Sequence, residues 1–206
     1  LGAGMAIAMK DLEIRGAGNL LGGEQSGHIA DVGFDLYLRL VGEAVADYRG
    51  TTPEPEPEMK IELPVEAHLP GDYVESERLR LEMYKRLASV RSDADLDAIR
   101  DELQDRYGTP PAPVEALLEV ARFRLLCRSA GITEVLSAGT MIRFAPAELP
   151  DSRALRLARL YPGAQLRKAL GHLLVPRPLT RPITGSPLKD AELLAWATRV
   201  VTDLFL

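Results

Sequence analysis

An arginine and a glutamine flank a glycine-dense loop near the start of the sequence, and they have the best-defined chemistry in the chain. Arg15 offers a planar set of donors that can hold loop carbonyls or meet an external phosphate or carboxylate. Alternatively, Arg15 only complements the negative end of a helix dipole. Gln25 follows within the loop, whose path is specified by glycines that permit tight turns. These glycines are Gly16, Gly18, Gly22, Gly23 and Gly27.

The spacing of these glycines does not fit a nucleotide-binding loop. The chain contains no Gly-x-x-x-x-Gly-Lys-Ser/Thr motif, and no Gly-x-Gly-x-x-Gly motif joins a strand to a helix. His28, His68 and His172 are far apart in sequence, and Cys127 has no obvious base beside it. The aspartates of residues 93–97 lack the glycine and terminal glutamate of a calcium loop and fit a helix cap. We therefore predict no catalytic residue, no metal site and no cofactor in this chain.

Two blocks of sequence closely resemble known proteins. Residues 11–27, continued by residues 32–37, resemble the translocation element shared by the RecG junction helicases and the bacterial transcription-repair coupling factors (Mfd). Residues 105–118, with Gly131 and Ile132 downstream, resemble the carboxy-terminal domain that follows this element in the coupling factors and is absent from RecG. Together the two blocks are similar to the carboxy-terminal part of a transcription-repair coupling factor.

This resemblance implies a role for the glycine loop. In that family the element is a helical hairpin and loop beyond a RecA-like helicase lobe, where it converts ATP-driven lobe closure into stepping along double-stranded DNA. The whole protein would then bind ATP and Mg²⁺, displace RNA polymerase stalled at DNA damage and recruit the nucleotide excision repair protein UvrA. The residues that carry the translocation role by resemblance are Arg15, Gln25, Gly16, Gly18, Gly22 and Gly27.

The resemblance also implies a regulatory role for the carboxy-terminal domain. In that family the domain folds back on a UvrB-like amino-terminal module and masks its UvrA-binding surface, which is a form of autoinhibition. The 206-residue chain alone is then predicted to have no enzymatic activity. Two alternatives stay open: a non-enzymatic protein-interaction module, and a fragment of a RecG-like junction helicase. A phosphate-binding loop upstream in the natural gene product would distinguish a motor from an interaction module.

Composition and charge fit an ordinary soluble protein. Of the 206 residues, 46% are apolar and 27% are charged, and the net charge of −5 argues against a surface that binds nucleic acid throughout. The single cysteine excludes an internal disulfide and favours a reducing compartment. The sequence has no long apolar run and no signal-peptide pattern, so we expect a cytoplasmic protein that does not contact the membrane.

Proline and glutamate alternate from residue 53 to residue 58 and mark a domain boundary. This composition removes backbone donors and favours an extended, semi-rigid spacer. We predict a helical hairpin and loop from the end of a helicase lobe over residues 1–49, with its second helix at residues 34–48. A Pro/Glu linker follows over residues 50–58. Residues 59–206 are predicted to form an α+β domain, in which several helices cover a small mixed sheet.

Hydrophobic periodicity predicts the elements of this domain. Apolar and polar residues alternate over residues 59–69, which predicts a strand that Pro64 either confines to a sheet edge or breaks. Strands are also predicted at residues 133–137, 141–144 and 171–175, the first two as a hairpin around Gly139. Helices are predicted at residues 72–90, from Ser92 to Gly108, from the prolines at 110–113 to Gly131, at residues 151–160, and from Ser186 and Pro187 to the end.

The sign of the charge reverses in one segment. From Ser152 to Lys189 the sequence contains no Asp or Glu, although the chain as a whole is acidic. A run of like charge is commonly a solvated face, and we leave that interpretation open for this acid-free segment. The other interpretation is a surface that docks an acidic partner. The candidate docking residues, with the UvrB-like module as their intramolecular partner, are Arg153, Arg156, Arg159, Arg167 and Lys168.

Overall fold

The structure is a computed structural model that describes residues 59–206. The predicted helicase-lobe remnant at residues 1–49 and the linker at residues 50–58 lie outside the described residues. Within the described part, five α-helices and five strands confirm the predicted α+β class. In chain order they are β1 (Lys60–Glu62), α1 (Glu77–Ala88), α2 (Asp93–Tyr107), α3 (Ala112–Ser129), β2 (Glu134–Ala138), β3 (Met141–Ala145), α4 (Asp151–Leu160), β4 (Gln165–Arg167), β5 (His172–Pro176) and α5 (Asp190–Phe205).

The five strands form one mixed sheet in the order β1-β2-β3-β5-β4. β1 runs parallel to β2, and the other three pairs are antiparallel. The predicted hairpin is confirmed: β2 and β3 are joined by a two-residue turn, and Gly139 adopts a φ of 63° that favours glycine. In the register of the central strands, Val135 is opposite Phe144 and Ile142 is opposite Val175.

β1 is an edge strand, as predicted, but its ladder is only three residues long. The alternation of burial continues beyond the ladder, because Ile61, Leu63 and Val65 are all buried. Pro64 has no N–H to donate, and its carbonyl accepts a hydrogen bond from the N–H of Asp190 at 3.0 Å. Alternating hydrophobicity therefore reports which side chains face the core here. Strand pairing ends before Pro64, whose carbonyl is bonded instead to the first residue of α5.

α1 begins five residues later than the sequence predicts, at Glu77. The intervening residues form a turn in which the N–H groups of Tyr73 and Val74 donate to the Pro70 carbonyl. Arg80 is 7% exposed and holds this turn by donating to the Val74 carbonyl at 2.6 Å. Since these carbonyls and N–H groups are already paired, the helix starts only where the Ser76 side chain caps it.

α2 and α3 match their predicted boundaries. Ser92 opens α2 with a capping box, since its hydroxyl accepts from the Asp95 N–H at 3.2 Å and the Asp95 carboxylate accepts from the Ser92 N–H at 3.0 Å. Gly108 ends α2 with a φ of 86°, and α3 follows as far as Ser129. The predicted cap is thus confirmed for Asp95, and Asp93 lies in the first turn as predicted.

The core lies on the face of the sheet that α3 and α5 cover. The buried side chains on this face include Ile142, Phe144 and Leu173, each 0% exposed. The Phe144 ring packs 6.3 Å from the ring of Trp196 and 6.4 Å from that of Phe205, both on α5. Each such buried side chain contributes about 2 to 3 kcal/mol to folding. The core is therefore what fixes α5 on the sheet.

One prediction near the end of the chain is wrong, and one strand there was not predicted. Ser186 and Pro187 do not start the last helix, because Pro187 forms a β-bridge with Leu179 and the Ser186 carbonyl accepts from the Thr180 N–H at 2.8 Å. α5 begins at Asp190 instead. β4 was not predicted, since a three-residue strand is too short for an alternating pattern. The predicted strand at residues 171–175 is confirmed, displaced by one residue.

Candidate functional site

The predicted translocation residues lie outside the described residues. Arg15, Gln25, Gly16, Gly18, Gly22 and Gly27 all precede residue 59, so their role stays a prediction. The acid-free segment lies entirely within the described part and runs from α4 through β4 and β5 to the loop that precedes α5. Of the two candidate sites predicted from the sequence, it is the one that lies within residues 59–206.

Several titratable groups of the described domain are buried in its core or pair with one another. Cys127 is buried on α3, and burial raises the pKa of its thiol to about 12, so it is a neutral core residue near neutral pH. Arg122 of α3 donates to Asp93 and Asp97 of α2, each at 3.1 Å. Among residues 59–206, no cluster of three or more His, Cys, Asp or Glu side chains can hold a metal ion.

α4 presents two of the predicted docking arginines to solvent. Leu157 is the one buried residue of this helix and packs into the core. Arg153 is turned toward α5, where its guanidinium donates to the carbonyls of Leu204 at 3.3 Å and Leu206 at 2.7 Å. Arg156 and Arg159 are exposed, and within the described chain neither takes part in an ion pair or a hydrogen bond. Their charges are therefore available to a partner.

The other two predicted docking residues lie at the edge of the sheet. Arg167 ends β4 and donates to the Gln165 side chain at 3.4 Å. Lys168 begins a short 3₁₀ turn, and its ammonium lies 4.0 Å from the Asp151 carboxylate. Both side chains are exposed, and such pairs contribute between zero and about 1 kcal/mol. Arg167 and Lys168 are thus loosely engaged, in contrast to Arg153.

Exposed apolar side chains lie in the same segment as these cations. In the described domain, six large hydrophobic residues are exposed, and five of them lie in the acid-free segment. Leu155 is 83% exposed on α4, and Ile183 is 94% exposed in the loop before α5. Arginine together with apolar side chains is the composition that protein interfaces favour. The other four are Leu160, Leu170, Leu179 and Leu206.

A groove of about 390 Å³ runs from the end of α4 to the start of the loop between β5 and α5. At its margin the Tyr161 hydroxyl donates to the Asp203 carboxylate at 2.7 Å. Burial, reinforced by this hydrogen bond, raises the pKa of Tyr161, so the phenol stays protonated and keeps the end of α4 on α5. The groove is lined by Leu160, Tyr161, Pro162, Val175, Pro176, Pro178, Trp196, Arg199 and Asp203.

Sequence reasoning identified the cations of this surface but missed its apolar part. Ile183 belongs to a residue type that is usually buried, so its side chain alone does not indicate exposure. Arg199 lies beyond the acid-free segment, on α5, yet it lines the same groove as Tyr161. The clustering of prolines around residues 176–187 was the one available signal, since prolines so spaced interrupt regular structure.

Comparison with known proteins identifies the family. A sequence model of the TRCF domain matches residues 63–155. The transcription-repair-coupling factors of Mycobacterium bovis and Mycobacterium tuberculosis are each 50% identical to the chain over 216 residues, which is 99% of this chain and 18% of theirs. The factor of Staphylococcus haemolyticus is 45% identical over 144 residues, covering 69% of this chain and 12% of its own.

A solved structure shows the same fold. The crystal structure of the C-terminal domain of a transcription-repair coupling factor superimposes with a TM-score of 0.54 at 16% identity, covering 70% of this chain and 88% of that one. The chain belongs to the transcription-repair coupling factor family, as its sequence predicts. It spans less than a fifth of the length of the mycobacterial relatives. No helix in residues 59–206 is long and apolar enough to cross a membrane.

Proposed function

We propose that the chain is the carboxy-terminal part of an ATP-dependent double-stranded DNA translocase. The complete protein would displace RNA polymerase stalled at DNA damage and recruit nucleotide excision repair through UvrA, in the cytoplasm. Family membership supports this role, as does the resemblance of residues 11–27 to a translocation element. In this proposal Arg15 and Gln25 couple ATP-driven closure of the motor to movement along DNA.

ATP and Mg²⁺ would be bound by parts of the factor outside these 206 residues. The sequence has no loop that can cradle a triphosphate, and nucleotide hydrolysis requires such a loop together with a held metal ion. We therefore expect the purified 206-residue chain to release no phosphate from ATP above a buffer blank, with or without double-stranded DNA. Steady ATP hydrolysis by this chain would contradict the assignment of the motor to the rest of the protein.

Residues 59–206 would serve as the regulatory domain. They would dock on the UvrB-like amino-terminal module and mask its UvrA-binding surface until polymerase engages the factor. The observation that carries this proposal is the combination of unpaired arginines and exposed apolar side chains in a segment without a single carboxylate. A surface of that kind steers an acidic partner and fixes its register, while its apolar residues supply contact area.

Charge reversal on α4 tests the docking surface. The double variant Arg156→Glu, Arg159→Glu should bind the amino-terminal module at least about tenfold more weakly than the parent chain, because attraction becomes repulsion. Titration calorimetry with the 206-residue chain measures this. The wild-type affinity should also fall as salt rises, since ions screen exposed charges beyond about 8 Å at physiological strength.

Arg78→Glu is the control for the same measurement. Arg78 is 69% exposed on α1, where it lies 3.9 Å from Glu82, and it is outside the acid-free segment. Its reversal lowers the net charge by two units, half the change in the double variant, without altering the proposed surface, so the affinity should stay within about twofold. A loss of binding free energy in the control that is half or more of the loss in the double variant would mean that only net charge matters, which would argue against a specific docking surface.

A further inference from the structure

α4 and β4 lie side by side at the edge of the sheet. After α4 the chain turns, with the Ala164 N–H donating to the Tyr161 carbonyl at 3.0 Å, and enters β4, the last strand in the sheet order. It then returns to the start of the helix, because the Lys168 ammonium, just after β4, lies 4.0 Å from the Asp151 carboxylate. Residues 151–168 therefore form one antiparallel pair of elements, which we call the α4–β4 unit.

The α4–β4 unit presents four cations to solvent. Arg156 and Arg159 are three residues apart on α4, which places them on the same side of the helix. Arg167 and Lys168 follow at the end of β4, and their contacts with neighbouring side chains are long, at 3.4 Å and 4.0 Å. Because exposed contacts of this kind contribute little free energy, all four side chains can turn toward a ligand.

The segment that contains these cations carries charge of one sign. Residues 152–189 contain eight Lys and Arg residues and no Asp or Glu, which gives a formal charge of +8. Since the whole chain has a net charge of −5, the remaining residues carry −13. Soluble protein surfaces generally intersperse both signs, whereas a basic patch of this kind is the electrostatic signature of nucleic-acid binding. The charge pattern therefore favours a polyanion as the ligand.

The type of cation fits phosphate groups. Six of the eight cations in the acid-free segment are arginines. A guanidinium has a planar fork of donors that binds two phosphate oxygens together, and it stays charged at physiological pH. Each strand of duplex DNA has one phosphate per about 3.4 Å of helix axis. α4 has 10 residues and is about 15 Å long, so it can face several phosphates at once.

We propose that the α4–β4 unit binds the phosphate backbone of duplex DNA through Arg156, Arg159, Arg167 and Lys168. The proposal goes beyond the function proposed above, in which this domain has no contact with nucleic acid, and rests on it only in taking duplex DNA as the polyanion. Backbone contacts carry no sequence information, so the site would hold DNA of any sequence. It would give the protein a second contact with DNA, separate from the motor.

The salt dependence of binding counts the proposed contacts. Four phosphate contacts contribute a slope of about −3.6 to a plot of log affinity against log salt, so a fourfold rise in salt should weaken binding at least about a hundredfold. Fluorescence anisotropy of a labelled duplex of about 30 base pairs, titrated with the 206-residue chain, measures this. Residues 1–58 are present in every variant, so any DNA contact that they make enters all slopes equally.

Two double variants each remove half of the proposed contacts. In Arg156→Gln, Arg159→Gln the slope should become shallower by about two, because two fewer phosphates are neutralised. Arg167→Gln, Lys168→Gln should give the same change from the sheet edge, so the test does not depend on α4 alone. All four side chains are exposed, and circular dichroism should show both variants folded as the parent chain is.

Arg78→Gln, Lys85→Gln is the matched control. Both residues lie on α1, outside the acid-free segment, and their neutralisation lowers the net charge by the same two units. The slope should equal that of the parent chain. Leu155→Asn distinguishes a phosphate contact from a protein interface, because Leu155 is 83% exposed beside Arg156 and a protein partner would bury it. Its DNA affinity should stay within about twofold of the parent value.

The outcomes separate this proposal from the docking function. DNA binding is measured without the amino-terminal module, so either interaction can fail while the other is observed. Absence of DNA binding, or equal slopes in the parent and both α4–β4 variants, overturns the proposal and leaves these cations to a protein partner. An equal change of slope in the control, or loss of DNA binding in Leu155→Asn, overturns it as well. We expect shallower slopes in the two α4–β4 variants alone.

Discussion

At the scale of single residues, the carboxylate of Asp95 stabilises a helix start in a way that depends on pH. The Asp95 carboxylate accepts hydrogen bonds from the N–H groups of Arg91 at 3.1 Å and Ser92 at 3.0 Å. These bonds favour the ionised form, chiefly the one from Arg91, and lower the pKa of Asp95. The start of α2 is therefore best held when Asp95 is charged.

This lowered pKa predicts an acid-sensitive helix start. A folded pKa below the unfolded value means that the stabilisation is complete above about pH 4, the ordinary aspartate pKa, and is lost as pH falls through the folded value. Wild-type stability should therefore fall more steeply below pH 4 than that of Asp95→Asn, with the two curves converging in acid. Urea unfolding monitored by circular dichroism at several pH values measures this. Parallel curves would show that Asp95 does not contribute to the acid sensitivity.

At the scale of elements, α4 is the helix with the weakest attachment to the described domain. Leu157 is its one buried side chain, whereas α3 and α5 each bury seven residues. Hydrogen bonds at its two ends supplement this contact. Arg153 donates to the carbonyls at the end of α5, and Tyr161 donates to Asp203. Local opening free energy follows buried contact, so α4 should open independently of the core.

Hydrogen exchange can test this independence. Amides of residues 151–160 should exchange faster than those of α3, and Leu157→Ala should accelerate exchange in α4 while leaving α3 protected. A fully coupled core leucine would cost about 2 to 5 kcal/mol on truncation to alanine, and we expect a loss near or below the lower end, because α4 lies at the periphery. A uniform rise in exchange across α3 and α5 would show instead that α4 opens only with global unfolding.

Local signals in the sequence were sufficient to predict several of these elements. Ser92 with Asp95 and Gly108 marked both ends of α2, and Gly139 marked the β2–β3 turn. The interior face of the sheet followed from alternation, because residues such as Ile142 and Phe144 must face the same side. Arg156 and Arg159 were identified as docking candidates from charge alone, and the structure leaves both of them exposed.

What the sequence did not predict depends on contacts between distant residues. Ser186 with Pro187 has the pattern of a helix start, but pairing with residues 179 and 180 keeps it in a loop. β4 exists because it pairs with β5, since Gln165 lies opposite Leu174. Ile183 is 94% exposed in the loop before α5, and no local pattern reports this. Tertiary pairing overrides local preference at each of these places.

At the scale of the whole domain, its cations are used in two different ways. In the three helices that follow β1, arginines pair with carboxylates on neighbouring helices: Arg86 with Glu102 at 2.6 Å, and Arg100 with Glu115 at 2.8 Å. In the acid-free segment, by contrast, Arg156, Arg159 and Arg181 form no ion pair with any carboxylate of residues 59–206. Charges that stabilise the domain are thus separated along the chain from charges that are available to a partner.

The complete factor allows the proposed coupling role of the amino-terminal loop to be tested. If Arg15 transmits the motor's cycle to DNA, as the resemblance implies, Arg15→Ala in the full-length protein should retain most ATP hydrolysis but lose displacement of a stalled polymerase. The reason is that the residue would act after nucleotide binding, on the step that converts lobe closure into movement. ATPase rates and release of a halted transcription complex, measured on the same preparation, separate the two functions.

Arg49→Ala, beside the predicted linker, is the matched arginine control and should retain both activities. Loss of both activities from Arg15→Ala would assign Arg15 to folding of the motor rather than to coupling.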